Sequence, residues 1–496
     1  MWTENDRWDF NRNLQIFSQS SYASLLSAGF HGVEREALRV NADGSLNLEP
    51  HPQAIGDKFT HPAITTDFSE SQLELITPPF PTIEGCYQYL AQLHHFVASN
   101  IGDQLLWPAS MPCRLPSEEQ IPIAFFGETP EAKTKEIYRR GLALRYGKAI
   151  QMVCGIHYNF SFDPKLWDML HQHFGDEVPR QEFINDGYCA LVRNFLRLRW
   201  LFVYLYGASP VVDRSYDIKA LNQFHTLGPD TLGFPWATSL RMSQFGYSNE
   251  EQRNFRICFN RLESYIGDLR RAMEMPDPRY EALGLYRHAE QIQLNANVLQ
   301  LENEYYAPVR FKQAPLAGET SLDALERAGV GYIEIRASDL NPESPYGLDI
   351  SRLHFLHVLL TYCLLRHSDY CSRRERDEEI NANERRIALE GRMSDAEISF
   401  CGKRTAMPAI ARNFLQDMMK VAGIMDRGGG TKCYQMCIQQ ALAKLDNPNA
   451  TPSARMVAGL QDTGGSFIDI MKKQAQAHHH HYRHYQGASD PSIQRE

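Results

Sequence analysis

Short stretches of this chain alternate apolar and polar side chains with a period of two, the pattern of a half-buried strand. Gly32-Val33-Glu34-Arg35-Glu36-Ala37-Leu38-Arg39-Val40 puts Glu34 and Glu36 on one strand face. Ile64 to Ile76 adds Asp67, Glu70 and Glu74, and Tyr332-Ile333-Glu334-Ile335-Arg336 sets Glu334 and Arg336 opposite Ile333 and Ile335. Gly155-Ile156-His157-Tyr158-Asn159-Phe160 places His157 and Asn159 on a polar face, and Gln291 to Val298 alternates amides with apolar residues, so both read as strands. Helical spacing dominates elsewhere: a short lead-in up to about residue 30, long helices over about 182–206 and 250–274, and, after about 350, segments 351–367, 374–390, 408–424 and 456–474. Gly428-Gly429-Gly430 interrupts that last run.

Strands mixed with helices, followed by helices alone, predict an α+β fold: a mostly antiparallel sheet, polar and cupped on one side and backed by helices, with a helical C-terminal region. No internal repeat and no long linker divides the chain. Residues 1–475 are therefore expected to form one α+β catalytic domain, with about 30–345 carrying the active-site sheet and about 350–475 packed on it. His478-His479-His480-His481 lies in a polar terminus, and 476–496 is expected to be a disordered tail. Most apolar is Leu191 to Tyr206, but Arg193, Arg197 and Arg199 lie within it, so it reads as a buried amphipathic helix and not a membrane span.

Composition narrows the function. The 496 residues carry a formal charge of −9, which argues against a general nucleic-acid binder. Met1 to Asn13 lacks the apolar core of a secretory signal. Ten cysteines without a CxxC pair suit a reducing cytoplasm, and Cys433 and Cys437, four apart, read as two thiols on a helix face.

Carboxylates gathered on one sheet face repel one another and need protons or cations to coexist. Hard divalent ions take oxygen ligands, and Mg²⁺ with a phosphate substrate is the simplest occupant of such a surface. Arg336, two residues past Glu334, could meet a phosphoryl group with its planar donor fork. Glu70 shares the face but could equally be a structural hydrogen-bond partner. No GxxxxGK[ST] or strand-borne GxGxxG is present, so carboxylates and metals, and not a glycine loop, would have to hold a nucleotide's phosphates.

These segments also carry a resemblance. Gly32 to Val40, Ile64 to Phe68, Trp107-Pro108-Ala109-Ser110-Met111-Pro112, Tyr138-Arg139-Arg140-Gly141-Leu142 and Gly155 to Phe160 resemble the proteobacterial type of glutamate–cysteine ligase. So do Ala237 to Ser243, Gly246-Tyr247, Asn297 to Glu304, Tyr306-Ala307-Pro308 and Tyr332 to Arg336, in conserved order over about 30–345 and more weakly to about 470. Departures fall mainly in 273–291 and the histidine-rich end. The resemblance implies a glutamine synthetase-like sheet and ATP-dependent joining of L-glutamate to L-cysteine through γ-glutamyl phosphate. It implies Glu36, Asp67 and Glu74 as ligands of one Mg²⁺, with Mn²⁺ as the alternative, and Glu34 and Glu334 as ligands of a second on the ATP phosphates. Arg336 becomes the catalytic cation, and Tyr138, Leu142, Gln151, His157, Arg241, Tyr247 and Tyr306 the pocket for cysteine. A cytoplasmic monomer or weak oligomer is expected, with small-molecule substrates and neither nucleic acid nor membrane as partner. The rivals are a ligase that joins glutamate to another amine and an inactive binding protein on the same fold; retention of all six charged residues disfavours the second.

Overall fold

The structure is a computed structural model that describes residues 9–175, 177–216, 221–246, 255–487 and 493. Its centre is an antiparallel sheet in the order Val309–Lys312, Tyr332–Ser338, Ile156–Phe162, Gly29–Val40, Gln72–Ile76 and Ile64–Thr66, with Leu105–Leu106 pairing the far end of Gly29–Val40. Register brings the predicted face together. Glu34 lies opposite His157 on one side and Ile76 on the other, Glu36 opposite Glu74, and Glu334 opposite both Asn159 and Arg310. Because side chains alternate, fixing these pairs fixes every acid on the same side.

The opposite face is the core side. Val33, Ala37, Tyr158, Phe160, Ile333 and Ile335 are fully buried there. Behind them pack the helices Ile83–Asn100 and Ile350–Leu365, and Phe467–Arg483 packs on the first of these. Ile83–Asn100 starts at Thr82, whose hydroxyl accepts from the Gly85 amide, and turns Ile83, Cys86, Leu90, Leu93 and Val97 inward at helical spacing. Arg35 and Arg39, both fully buried, share this face. The two terminal nitrogens of Arg39 donate to the carbonyls of Glu49, Pro50 and Glu70 and to Asn47 Oδ1, so its charge meets acceptors at both.

Arg180–Tyr206 is buried along most of its 27 residues. Three of its four arginines reach outward to neighbouring segments: Arg193 to the Asn260 carbonyl at 2.8 Å, Arg197 to Glu375 at 2.6 Å, and Arg199 to Asn381 at 2.8 Å. Among the described residues, no helix is long and apolar enough to cross a membrane.

Several expectations are corrected. Of the segment Gln291 to Val298 only Gln291 is in a strand, paired in the two-residue ladder with Tyr286–Arg287. The rest is irregular because side chains take up its backbone groups: Gln300 Oε1 accepts from the Leu294 amide, and Arg145 donates to the Asn295 carbonyl. The helix expected over 250–274 begins at Leu262, and 255–261 is not helical. The single helix expected over 456–474 is two, Pro452–Thr463 and Phe467–Arg483, separated where Gly464 adopts a left-handed conformation with φ 59°. The histidine-rich segment is not a disordered tail up to Arg483. His478 is buried and its Nε2–H donates to the Pro342 carbonyl at 2.8 Å, while buried Tyr482 bonds the Pro345 carbonyl. A hairpin of Glu397–Phe400 with Lys403–Ala406 and a three-stranded sheet from Val211–Asp213, His225–Gly228 and Thr231–Gly233 had no counterpart in the sequence reading.

Candidate active site

Glu34, Glu36, Glu74 and Glu334 converge around one imidazole. His157 Nδ1 lies 3.1 Å from Glu34 Oε2 and 3.4 Å from Glu334 Oε1, and its Nε2 lies 3.5 Å from Glu36 Oε1. Ligand atoms of Glu34, Glu74 and His157 all fall within 4.8 Å of one another. Further bonds hold the acids in place: Asn159 donates to Glu34 Oε1 at 2.7 Å, and the Gly155 amide to Glu36 Oε2 at 2.6 Å. Asp67 sits in the turn between Ile64–Thr66 and Gln72–Ile76, near enough to raise the carboxyls of both Glu36 and Glu74.

Electrostatics divides the cluster. Burial, then the charges of Glu34, Asp67 and Glu36, push Glu74 well above the usual carboxylate range. Burial also raises Glu36, against the pull of His157. Burial acts the same way on Glu334, but Arg336, Lys312 and Arg310 outweigh it and hold that carboxyl well below its ordinary value. Glu34 likewise falls, because the His157 hydrogen bond and Lys312 overcome burial and the Glu334 charge. One end of the cup is thus neutralised by protein cations, whereas the Glu36–Asp67–Glu74 end is short of positive charge. An all-oxygen donor set in that condition fits a hard divalent cation.

Arg336 pairs with Glu334 and its Nη1 lies 3.2 Å from His157 Nδ1. It also lines a cavity of 380 Å³ together with Tyr306, Met242, Arg199 and Arg376. Behind it Arg241, buried, donates to the Arg336 carbonyl at 2.9 Å. Gly155 permits this approach, since a Cβ there would lie 2.1 Å from Arg241 Nη2. Gln151 Nε2 donates to the Tyr306 hydroxyl at 2.9 Å. Tyr138 and Leu142 lie one turn apart on the helix Pro130–Tyr146, which Thr129 caps and Pro130 opens. That helix is anchored at its end by a fully buried pair, Arg145 with Glu304 at 2.9 Å.

Most of the predicted residues therefore meet. His157 lies among the carboxylates, and Tyr247 lies outside the described residues. Glu70 is a structural partner: it pairs with Lys58 and accepts from the amides of His51 and Phe125, each at 2.7 Å. Sequence reasoning missed Lys312, whose Nζ is 3.1 Å from Glu334 Oε2, and Arg310 beside it. Val309-Arg310-Phe311-Lys312 does alternate, so the period-two signal was present in a segment too short to stand out.

Carboxylates and an arginine on the polar face of an antiparallel cup, without a glycine phosphate loop, define an ATP-dependent carboxylate–amine ligase type of site. The family model described as glutamate–cysteine ligase matches residues 14–387. The chain is 41% identical over 482 residues to a glutamate–cysteine ligase of Clostridium acetobutylicum, covering 95% of this chain and 100% of that one. It is 39% identical over 480 residues to one of Pseudomonas paraeruginosa, covering 97% and 91%. The crystal structure of glutamate–cysteine ligase from Francisella tularensis in complex with AMP superposes with a TM-score of 0.87 at 30% identity, covering 94% of this chain and 91% of that one. This chain belongs to the glutamate–cysteine ligase family.

Proposed function

We propose that the acid-lined cup is where ATP phosphorylates the γ-carboxylate of L-glutamate and where the amine of L-cysteine then displaces phosphate. The family's reaction gives γ-glutamylcysteine, ADP and phosphate, the first step of glutathione synthesis. A carboxylate is a poor acyl donor to an amine, so activation as γ-glutamyl phosphate comes first. Transfer of a phosphoryl group depends mainly on positioning and on stabilising its charge. The observation that carries the assignment is the crowding of Glu36 and Glu74, raised by burial and mutual repulsion, beside Glu334 and Arg336, already paired.

Glu36, Asp67 and Glu74 would hold one Mg²⁺, with Mn²⁺ as the alternative, and Glu34 and Glu334 a second. When bound, such ions supply charge neutralisation and a template for phosphate oxygens. Arg336 is the catalytic residue on this reading: its guanidinium stabilises the phosphoryl group as it leaves ATP. His157, hydrogen-bonded through Nδ1 to Glu34 and with Nε2 3.5 Å from Glu36, is also a positioning residue that sits between three carboxylates. Tyr138, Leu142, Gln151, His157, Arg241, Tyr247 and Tyr306 would enclose cysteine, with the Gln151–Tyr306 bond setting one wall. Use of ATP and ten free thiols support a cytoplasmic setting.

The test is ADP formation that requires glutamate, cysteine and Mg²⁺ together, with the product mass measured. Equal rates with ammonia or 2-aminobutyrate in place of cysteine would reassign the acceptor, and no ADP with any amine would refute the reading.

A further inference from the structure

A second group of metal-type ligands lies on the far side of the sheet, away from the acid cup. Glu84 is in the first turn of Ile83–Asn100, His354 in the second turn of Ile350–Leu365, and Cys433 begins Cys433–Asp446. A carboxylate oxygen, an imidazole nitrogen and the thiol sulfur lie within 4.8 Å of one another. Three helices far apart in sequence thus aim one donor each at a single point.

The histidine carries the argument further. Its Nδ1 is 3.0 Å from the Ile350 carbonyl, which can only accept, so Nδ1 bears the hydrogen. In the neutral ring this leaves a lone pair on Nε2, and Nε2 lies 3.3 Å from Glu84 Oε1, another acceptor. Two lone-pair atoms facing each other need either a proton or a metal ion between them, and a sulfur donor within reach of both favours the metal. A backbone carbonyl holding the far ring nitrogen is also how proteins orient a metal-bound histidine.

Cys433 is held just as firmly. Its amide donates to Thr431 Oγ1 at 3.1 Å, and buried Asp426 accepts from the amides of Tyr434 at 3.0 Å and Gln435 at 2.9 Å. The Tyr434 ring stands edge-on to His354 with centroids 5.2 Å apart, closing the inner side. Glu84 is exposed and His354 buried, so an ion would enter from solvent past the carboxylate.

We propose that Glu84, His354 and Cys433 form a binding site for a borderline-soft divalent cation of the zinc class, with water as the fourth ligand. Metal–ligand bonds of about 2.0–2.3 Å put the edges of a tetrahedron at roughly 3.3–3.7 Å. The Nε2–Oε1 edge is already at that length, and a small side-chain rotation of Glu84 and Cys433 brings in the sulfur. Thiolate with imidazole selects zinc over magnesium, whereas the all-oxygen cup has the reverse preference. The site ties the helix behind the Glu34 strand to two helices of the C-terminal region, so occupation stabilises the folded chain without entering the reaction. It is independent of the ligase reading.

Cobalt(II) reports the site directly, because only a thiolate ligand gives the near-ultraviolet sulfur-to-cobalt charge-transfer band. The full-length chain, stripped with chelator and kept in excess Mg²⁺, is titrated with Co²⁺ and then with Zn²⁺. The expected result is one Co²⁺ with a thiolate band that Zn²⁺ displaces and Mg²⁺ does not, together with a Zn²⁺-dependent rise in Tm. In C433S the band and the rise disappear, and in H354Q and E84Q Zn²⁺ affinity falls roughly 100-fold. Retained ligase turnover in C433S shows that this variant folds. No thiolate band in the unmodified chain, or a band of full size in C433S, would overturn the proposal.

Discussion

Glu74 and Arg336 illustrate opposite ways of handling charge in one cup. Glu74 is half-buried, and desolvation with three neighbouring acids presses its carboxyl upward, so its ionised form destabilises the metal-free fold. Its folded pKa lies above the unfolded one, so this penalty is absent at low pH and grows as pH rises past the ordinary carboxylate range. Glu74→Gln is expected to raise Tm in metal-free buffer by a few degrees, about what 1–2 kcal/mol moves in a chain of this size. The same variant should lose most of the Tm gain that Mg²⁺ gives the unmodified protein; scanning both with and without Mg²⁺ checks the pair of outcomes. Arg336 touches Glu334 and His157 and faces the cavity, and on the proposed reading its contact to a migrating phosphoryl group strengthens in the transition state. Arg336→Ala should lower kcat about 100-fold or more while changing ATP affinity much less. Turnover near the unmodified value would remove it from catalysis. Both residues were legible as candidates because an acid or arginine alternating with isoleucine is visible without a structure. Their opposite electrostatic states were not, since these depend on neighbours that strand pairing brings in from distant sequence.

Strands and helices differ in how openly the sequence announces them. Gly29–Val40, Ile156–Phe162 and Tyr332–Ser338 were recognisable from alternation, because each has one polar and one core-facing side. Gln291 to Val298 alternates as well, yet Arg145 and Gln300 side chains occupy its backbone groups and most of it is irregular. Phe467–Arg483 misled in the other direction. Its histidines are polar by composition, but His478 and Tyr482 recur at the i, i+4 spacing that faces the core. Burial, aided by the nearby Arg35 charge and only partly offset by the Pro342 hydrogen bond, lowers His478 to about 4 from 6.5. Its folded pKa is depressed, so the unfolded chain binds the proton more readily; stability is full above pH 6.5 and falls as pH drops towards 4. This residue accounts for at most about 3 kcal/mol of that loss. His478→Gln should therefore be less acid-sensitive, its difference from the unmodified protein shrinking between neutral pH and about 5, as urea midpoints would record. A constant difference across that range would mean the imidazole does not titrate this way.

The molecule as a unit depends on its last helix more than its composition suggests. Tyr482 packs against His94 at 5.0 Å and Tyr346 at 6.0 Å between ring centroids, and its carbonyl accepts from His95 at 2.8 Å. The end of the chain thereby closes over the helix that backs the acid-bearing strand. Tyr482→Ala is expected to cost about 3 kcal/mol, the scale of a buried aromatic truncation, and ending the chain at 475 should cost more. Calorimetry of both variants checks this, and a Tm within a degree of the full chain would make the helix dispensable. Local pattern along the chain was enough to specify the α+β class and to mark the acids and the arginine as candidates, because period-two and helical spacings are properties of neighbours in sequence; the family was legible only through the resemblance that whole motifs carry. Long-range pairing alone set Glu36 opposite Glu74, put His157 among the carboxylates, delivered Lys312 to Glu334, and gathered Glu84, His354 and Cys433 at one point. Register and helix packing join residues hundreds of positions apart, and that information is absent from any single stretch of chain.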